Sequence, residues 1–375
     1  MRTTVSRMAY VDNLRILLSC LVILFHWGMT YGVPGGWAYA DEPVEFPWLY
    51  FMTLHNATCQ SFFMGMFFLI TAYFTHLSLE RKGRERFLKD RFMRLGVPLL
   101  VYGRLVTPLT SWIAWGRAEG LSYLDVALSL RAGGFGVMWF VEAVIYFTAI
   151  YVVVRAFTER LRDNVAHRPF VLKDWHVFAY AGAVGIAAFC MRLVWPVGRG
   201  IGVLGFNMAH FAQYIPIFAI GILAANNKLE DAIGLAQAKR FFLVALGFVV
   251  LLFPAMFVAG GALSGDVEPF LGGWHWQSFA YCLWEQITGH AIMVFLLGWA
   301  RKCLNGQNAV TRELSGAAYA TYIFHPPVIV AVAVIATPWA IPPLLKYAGL
   351  APVAVALSFA AGVLIRRLPF ARRFV

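Results

Sequence analysis

The sequence predicts an all-α fold: a polytopic transmembrane bundle of about ten helices with both termini in the cytoplasm. Three observations lead there. The 375 residues are 60% hydrophobic and only 13% charged, with a mean hydropathy of +0.68, whereas a soluble domain carries about 25% charged residues. The apolar residues fall into about ten runs, each near the roughly 20 residues that cross a bilayer core as a helix. The cations alternate: of 31 Lys and Arg, 23 lie in one alternate set of gaps between runs and 4 in the other, with Arg15, Arg104, Arg155 and Arg192 inside the runs. The positive-inside rule places the cation-rich set in the cytoplasm.

The first run, 14–33, follows a basic N-terminus and carries no small-residue cleavage site, so it reads as an uncleaved helix and not a signal peptide. The second, 49–79, follows an outer loop bearing Asp41, Glu42 and Glu45 and ends at the densest cation cluster, Arg81-Lys82-Gly83-Arg84-Glu85-Arg86. That cluster continues to the third run, 94–115, where Arg91 and Arg94 share a helix face at i, i+3 just before Pro98. The fourth, 138–157, opens with Trp139 and Glu142. The fifth (175–195), sixth (208–226) and seventh (241–263) follow, with His210 at the outer end of the sixth. The eighth, 278–300, carries Glu285 and His290. The ninth, 316–337, contains His325-Pro326-Pro327, whose prolines free backbone carbonyls that must find partners inside the protein. The tenth, 349–365, leads to the tail cations Arg366, Arg367, Arg372 and Arg373. Trp37, Trp48, Trp139, Trp195, Trp274 and Trp276 fall near the outer interface, where an aromatic belt is expected. No repeat or low-complexity segment interrupts the pattern. Residues 1–375 therefore read as one membrane-embedded domain, with a basic cytoplasmic loop at about 80–94 and a basic cytoplasmic tail at 366–375.

The net charge of +12 sits between apolar runs and sets topology, so no nucleic-acid partner is expected. Cys20, Cys59, Cys190, Cys282 and Cys303 are scattered without redox or ligand spacing, and no His-x3-His pattern occurs, so no metal is expected.

An ionisable side chain at the centre of a span costs about 2.5–3.5 kcal/mol on insertion scales, which makes each one a candidate for function. The candidates are Arg15, His26, His55, Glu142, His210, Glu285, His290 and His325. Eleven residues separate Arg15 from His26, so the two lie within about 20° on one helix face and roughly 16.5 Å apart along the axis. Such a stripe puts a fixed cation at the cytoplasmic mouth and a titratable imidazole beyond the midplane. It suits an anionic donor that enters from the cytoplasm and delivers its reactive end to His26. The plainer alternatives are a snorkelling cation and an interhelical hydrogen bond. By depth, His26, His55, Glu142, His210 and Glu285 gather in the outer half, where a carboxylate beside an imidazole would orient a general base acting on a hydroxyl. Which carboxylate meets which imidazole stays open. His325 has the alternative of satisfying a carbonyl freed by the prolines. Arg91 and Arg94 either grip a phosphate or serve as ordinary topological charge.

Four stretches, in order, resemble the acyltransferase 3 family of integral-membrane acyltransferases. They are Asp12-Asn13-Leu14 before Arg15 and His26, Phe67-Phe68-Leu69-Ile70-Thr71-Ala72-Tyr73, Arg91-Phe92-Met93-Arg94, and Tyr322-Ile323-Phe324-His325-Pro326. The resemblance runs from residue 11 to about 365. Thr71 and Ala72 replace the family's usual Ser-Gly, and Glu142 stands three residues after Trp139 where many members have Trp-Ser-Leu-x-x-Glu. Tyr281-Cys282-Leu283-Trp284-Glu285-Gln286 is similar to a stand-alone branch associated with succinylation of periplasmic glucans.

The resemblance implies an enzyme of the bacterial inner membrane, surrounded by membrane lipids. It would transfer an acetyl or succinyl group from cytoplasmic acyl-coenzyme A to a hydroxyl of a carbohydrate at the periplasmic side, whether glucan, polysaccharide or glycolipid. His26 would be the general base or a transient acyl carrier, with Glu142 as a second catalytic group. Arg15, Arg91 and Arg94 would contact donor phosphates, and His55, His210, Glu285 and His325 are further substrate-site candidates. The rival from another class is a secondary transporter of an anionic small molecule, which would explain intramembrane His, Arg and Glu as a substrate and proton path. It would need matched interrupted helices in the two halves, and the sequence offers no such pair. Consumption of acyl-coenzyme A by isolated membranes without a gradient separates the two.

Overall fold

The computed structural model describes residues 8–129, 134–158, 171–201, 205–227, 232–371 and 374. Arg2 and Arg7 of the basic N-terminus, the cations within 159–170, and Arg372 and Arg373 of the tail lie outside the described residues. Among the described residues are ten helices long and apolar enough to cross a membrane: α1 Ala9–Thr30, α2 Trp48–Lys82, α3 Arg84–Gly116, α4 Gly136–Thr158, α5 Asp174–Arg192, α6 Met208–Asn227, α7 Leu235–Ala259, α8 Trp276–Cys303, α9 Ala309–Ala336 and α10 Pro343–Arg367. These are the ten expected spans. Several extend past the apolar runs, as α7 does through Lys239 and Arg240, because a helix stops where its backbone loses partners and not where hydropathy changes.

The joint between α2 and α3 is one residue, Gly83, at φ 74°. Glycine takes that left-handed conformation without the Cβ clash other residues meet. A bond of 2.5 Å from Lys82 to Asp90 braces the corner. Helix α3 then contains widened turns at Phe92–Gly96 and Tyr102–Val106, as α7 does at Phe248–Leu252. These three each end two residues before a proline, Pro98, Pro108 and Pro254, whereas a further widened turn in α3, Trp112–Gly116, has no proline after it. A proline offers no N–H to the carbonyl four residues back, and an i→i+5 turn passes that carbonyl to the next donor.

Helix α1 packs on α2, α9 and α10, while α2 also packs on α6 and α8. Small residues permit close approach, as small-residue contacts do in membrane bundles. A Cβ at Gly221 of α6 would lie 2.5 Å from the Leu69 carbonyl oxygen of α2. An aromatic floor crosses the middle of the bundle, with Phe68 stacked on Tyr214 at 4.8 Å and Tyr214 on Trp139 at 5.7 Å.

The loop between α1 and α2, expected outside, is tied down. The Asp41 and Val44 amides donate to Thr30 and Tyr31 carbonyls, and the Tyr39 hydroxyl meets that of Thr337 at 2.6 Å. Lys346, almost fully buried, donates to the Thr337 carbonyl at 3.0 Å and lies 3.9 Å from Asp41. This anchoring corrects part of the aromatic-belt expectation. Trp48, Trp195, Trp274 and Trp276 are exposed, but Trp37 and Trp139 turn inward onto His26 and Tyr214.

Candidate active site

His26 lies one turn from the C-terminal end of α1, half-buried. Its Nδ1 is 2.9 Å from the Val22 carbonyl oxygen and 3.2 Å from Nε2 of His325 on α9. His325 is fully buried, with Nδ1 2.8 Å from the Tyr322 carbonyl oxygen. The Tyr322 hydroxyl donates to the Val137 carbonyl, which holds this part of α9 against the start of α4. The Trp37 indole lies on the His26 ring, 4.4 Å between centroids at 28°. Of the two imidazoles, His26 is therefore the one a ligand can reach. His325 does satisfy a carbonyl freed by the prolines, as the plainer alternative holds, and it meets His26 as well.

Toward the N-terminal end of α1, Arg15 is 3.3 Å from Asp12 and its guanidinium lies 4.9 Å from the centre of the Phe74 ring. Phe74 also walls a cavity of about 240 Å³ lined by Arg81, Lys82, Asp90, Arg91 and Arg94. Four cations face one carboxylate there, and Asp90 is engaged by Lys82. Arg91 donates to the Thr75 hydroxyl at 2.6 Å and packs over Phe87 at 5.2 Å. The Arg94 carbonyl accepts from the Tyr319 hydroxyl of α9 at 3.1 Å. Arg15, Arg91 and Arg94 thus share one region around Phe74. An anionic, phosphate-bearing group is what such a lining can hold.

The other candidates expected in the outer half do not join His26. Glu285 is held by Arg192 at 2.6 Å, with His210 3.4 Å from its other oxygen and Gln286 donating at 3.2 Å. The network continues from Gln286 through Gln213 to the Ser61 carbonyl. Glu142, buried at the start of α4, accepts from the Tyr146 hydroxyl at 3.2 Å, and no hydrogen bond or ion pair joins it to His26. His55 meets Asn56 at 3.1 Å, and Asn56 in turn donates to the Phe25 carbonyl beside His26. His290 meets the Gln286 carbonyl at 2.6 Å and lies on the wall of a separate, apolar cavity of about 600 Å³ between α1, α2, α5, α6 and α8. Among the described residues, no group of three or more His, Cys, Asp and Glu is placed to hold a metal ion.

From the sequence, Trp37 is expected in the lipid belt and Arg192 only as a cation within a span. The Pro34-Gly35-Gly36 turn just before Trp37 was the available signal that this tryptophan could fold back. Nothing local ties Arg192 to a carboxylate 93 positions away.

The model of the acyltransferase 3 family, described as an acyltransferase domain, matches residues 8–363. Glucans biosynthesis protein C of Escherichia coli O1:K1 / APEC is 24% identical over 332 residues, covering 85% of this chain and 81% of the relative. The protein of the same name from Escherichia coli O139:H28 (strain E24377A / ETEC) matches with the same identity and coverage. No solved structure matches the chain.

Proposed function

This chain belongs to the acyltransferase 3 family and is a membrane acyltransferase; from that premise we propose that it moves a small acyl group, acetyl or succinyl, from cytoplasmic acyl-coenzyme A to a hydroxyl of a periplasmic carbohydrate. The observation that carries this reading is the α1 stripe: a reachable imidazole near the outer end and, at the inner end, Arg15 above a cation-lined cavity. The relatives' name, glucans biosynthesis protein C, supports a glucan-like acceptor. The bacterial inner membrane is the compartment in which both substrates would be in reach.

The donor's phosphates bind at Arg81, Lys82, Arg91 and Arg94, with Arg15 at the mouth, and its thioester end extends along α1 to His26. His26 Nε2 takes the proton of the acceptor hydroxyl as that oxygen attacks the thioester carbonyl. The new C–O bond forms, the C–S bond breaks, and the proton passes from His26 to the departing thiolate. An ester and free coenzyme A thiol result. General-base assistance of this kind contributes about 10²–10⁴-fold.

The test is reconstitution. Purified protein in proteoliposomes, given radiolabelled acetyl- or succinyl-coenzyme A on the inner-face side and a glucan on the other, should form alkali-labile acyl glucan. His26→Ala should insert and accumulate normally yet lose about 10²-fold or more of the rate. Full transfer by folded His26→Ala protein would overturn the assignment of the base.

A further inference from the structure

We propose that Pro326 and His325 form a positioning device for His26, in which a proline in α9 fixes the proton placement and charge tolerance of the base. The inference rests on His26 being the base in the reading above.

Pro326 has no N–H, so the carbonyl of Tyr322, four residues earlier in the same helix, has lost its helical donor. In lipid that carbonyl must be satisfied from within the protein. His325 does so, with Nδ1 2.8 Å from the oxygen. A carbonyl only accepts, so His325 Nδ1 carries a hydrogen, and a neutral ring protonated there has a bare Nε2. That bare nitrogen lies 3.2 Å from His26 Nδ1. The same His26 nitrogen faces the Val22 carbonyl at 2.9 Å, another pure acceptor. His26 Nδ1 is therefore an N–H shared between two acceptors, and its lone pair is at Nε2, where an acceptor hydroxyl can present its proton.

The second acceptor matters during the reaction. When His26 takes a proton its ring becomes cationic, and an acceptor on the far nitrogen holds its orientation and stabilises the imidazolium, as the third member of a catalytic triad does for its histidine. Here that acceptor is a neutral imidazole. His325 is fully buried and does not reach the substrate. It acts through His26, and Trp37 on the His26 ring opposes rotation out of this arrangement.

The test is a double-mutant cycle on the reconstituted full chain, reading kcat and KM separately. His325→Phe should lower kcat about 10²-fold with KM for acyl-coenzyme A unchanged. His325→Gln, which keeps both an acceptor and a donor, should recover at least tenfold over His325→Phe. Pro326→Ala restores an N–H that competes for the Tyr322 carbonyl, releases His325 from its single tautomer, and should lower kcat roughly tenfold. In the His325→Phe background, Pro326→Ala should have no further effect, because its route to His26 has gone. An equal loss from Pro326→Ala in both backgrounds, or wild-type kcat in folded His325→Phe protein, overturns the device. Unchanged activity in His26→Ala would instead remove the reading on which it rests.

Discussion

Replacing Glu285 by Gln removes one charge from a pair that is 0% and 1% exposed, and the expected effect is on stability before chemistry. At 2.6 Å the Arg192–Glu285 attraction is about 6 kcal/mol with an effective dielectric of 20. That gain opposes a desolvation cost of several kcal/mol for each ion. The pair thus contributes little net, but its loss leaves a buried guanidinium uncompensated, at a cost of about 3–5 kcal/mol. Gln286 does not replace the lost charge, because it is neutral and presents its amide N–H, a donor, to this site. The assay is thermal unfolding of the detergent-purified protein followed by intrinsic fluorescence, beside the reconstituted transfer rate. Glu285→Gln should melt well below wild type, and Arg192→Met with Glu285→Leu together should recover most of the loss, since an apolar pair avoids both desolvation costs. Wild-type melting of Glu285→Gln with transfer abolished would refute this reasoning and move Glu285 into the chemistry.

Arg15→Ala should raise KM for acyl-coenzyme A with little change in kcat, and Arg15→Lys should recover little if the contact is a planar fork on phosphate; unchanged KM in both returns Arg15 to a topological role. Arg94→Ala should raise the same KM and weaken its dependence on salt, measured by varying ionic strength in the donor titration. Trp37→Ala should lower kcat more than Trp37→Phe, because only phenylalanine retains a ring against His26; equal rates in the two variants would dismiss the stack. Reporter fusions after residues 87 and 368 should report cytoplasm, and one near residue 40 the exterior, since 23 loop cations oppose 4.

Hydropathy read the ten spans because each must bury its length in lipid, and helical periodicity placed Arg15 and His26 on one face because both lie on one helix. The cation-lined cavity was foreshadowed by Arg91 and Arg94 for the same reason. Contacts between helices were not legible. Depth put Glu142, Glu285 and His26 at one level, yet a level is a plane, and within it Glu142 pairs with Tyr146 while Glu285 pairs with Arg192. The partner of His26 lies 299 positions away. Its proline neighbours said that a carbonyl needed a donor; only the packing of α9 on α1 says that the donor's other nitrogen meets His26.

The single-residue corner at Gly83 has a consequence for what the inner cavity can admit. Arg81 and Lys82 stand on one arm of the corner and Arg91 and Arg94 on the other, so the gap between the cations is inherited from an angle and not from the length of a loop. The Lys82–Asp90 ion pair spans that angle, and the positive φ at Gly83 permits it. A Cβ there would meet open space, yet the backbone conformation itself would cost any other residue about 1–3 kcal/mol. For the proposed donor, selectivity among phosphate-bearing head groups would then be a property of a hinge, tunable by one backbone torsion at a residue outside the proposed phosphate contacts.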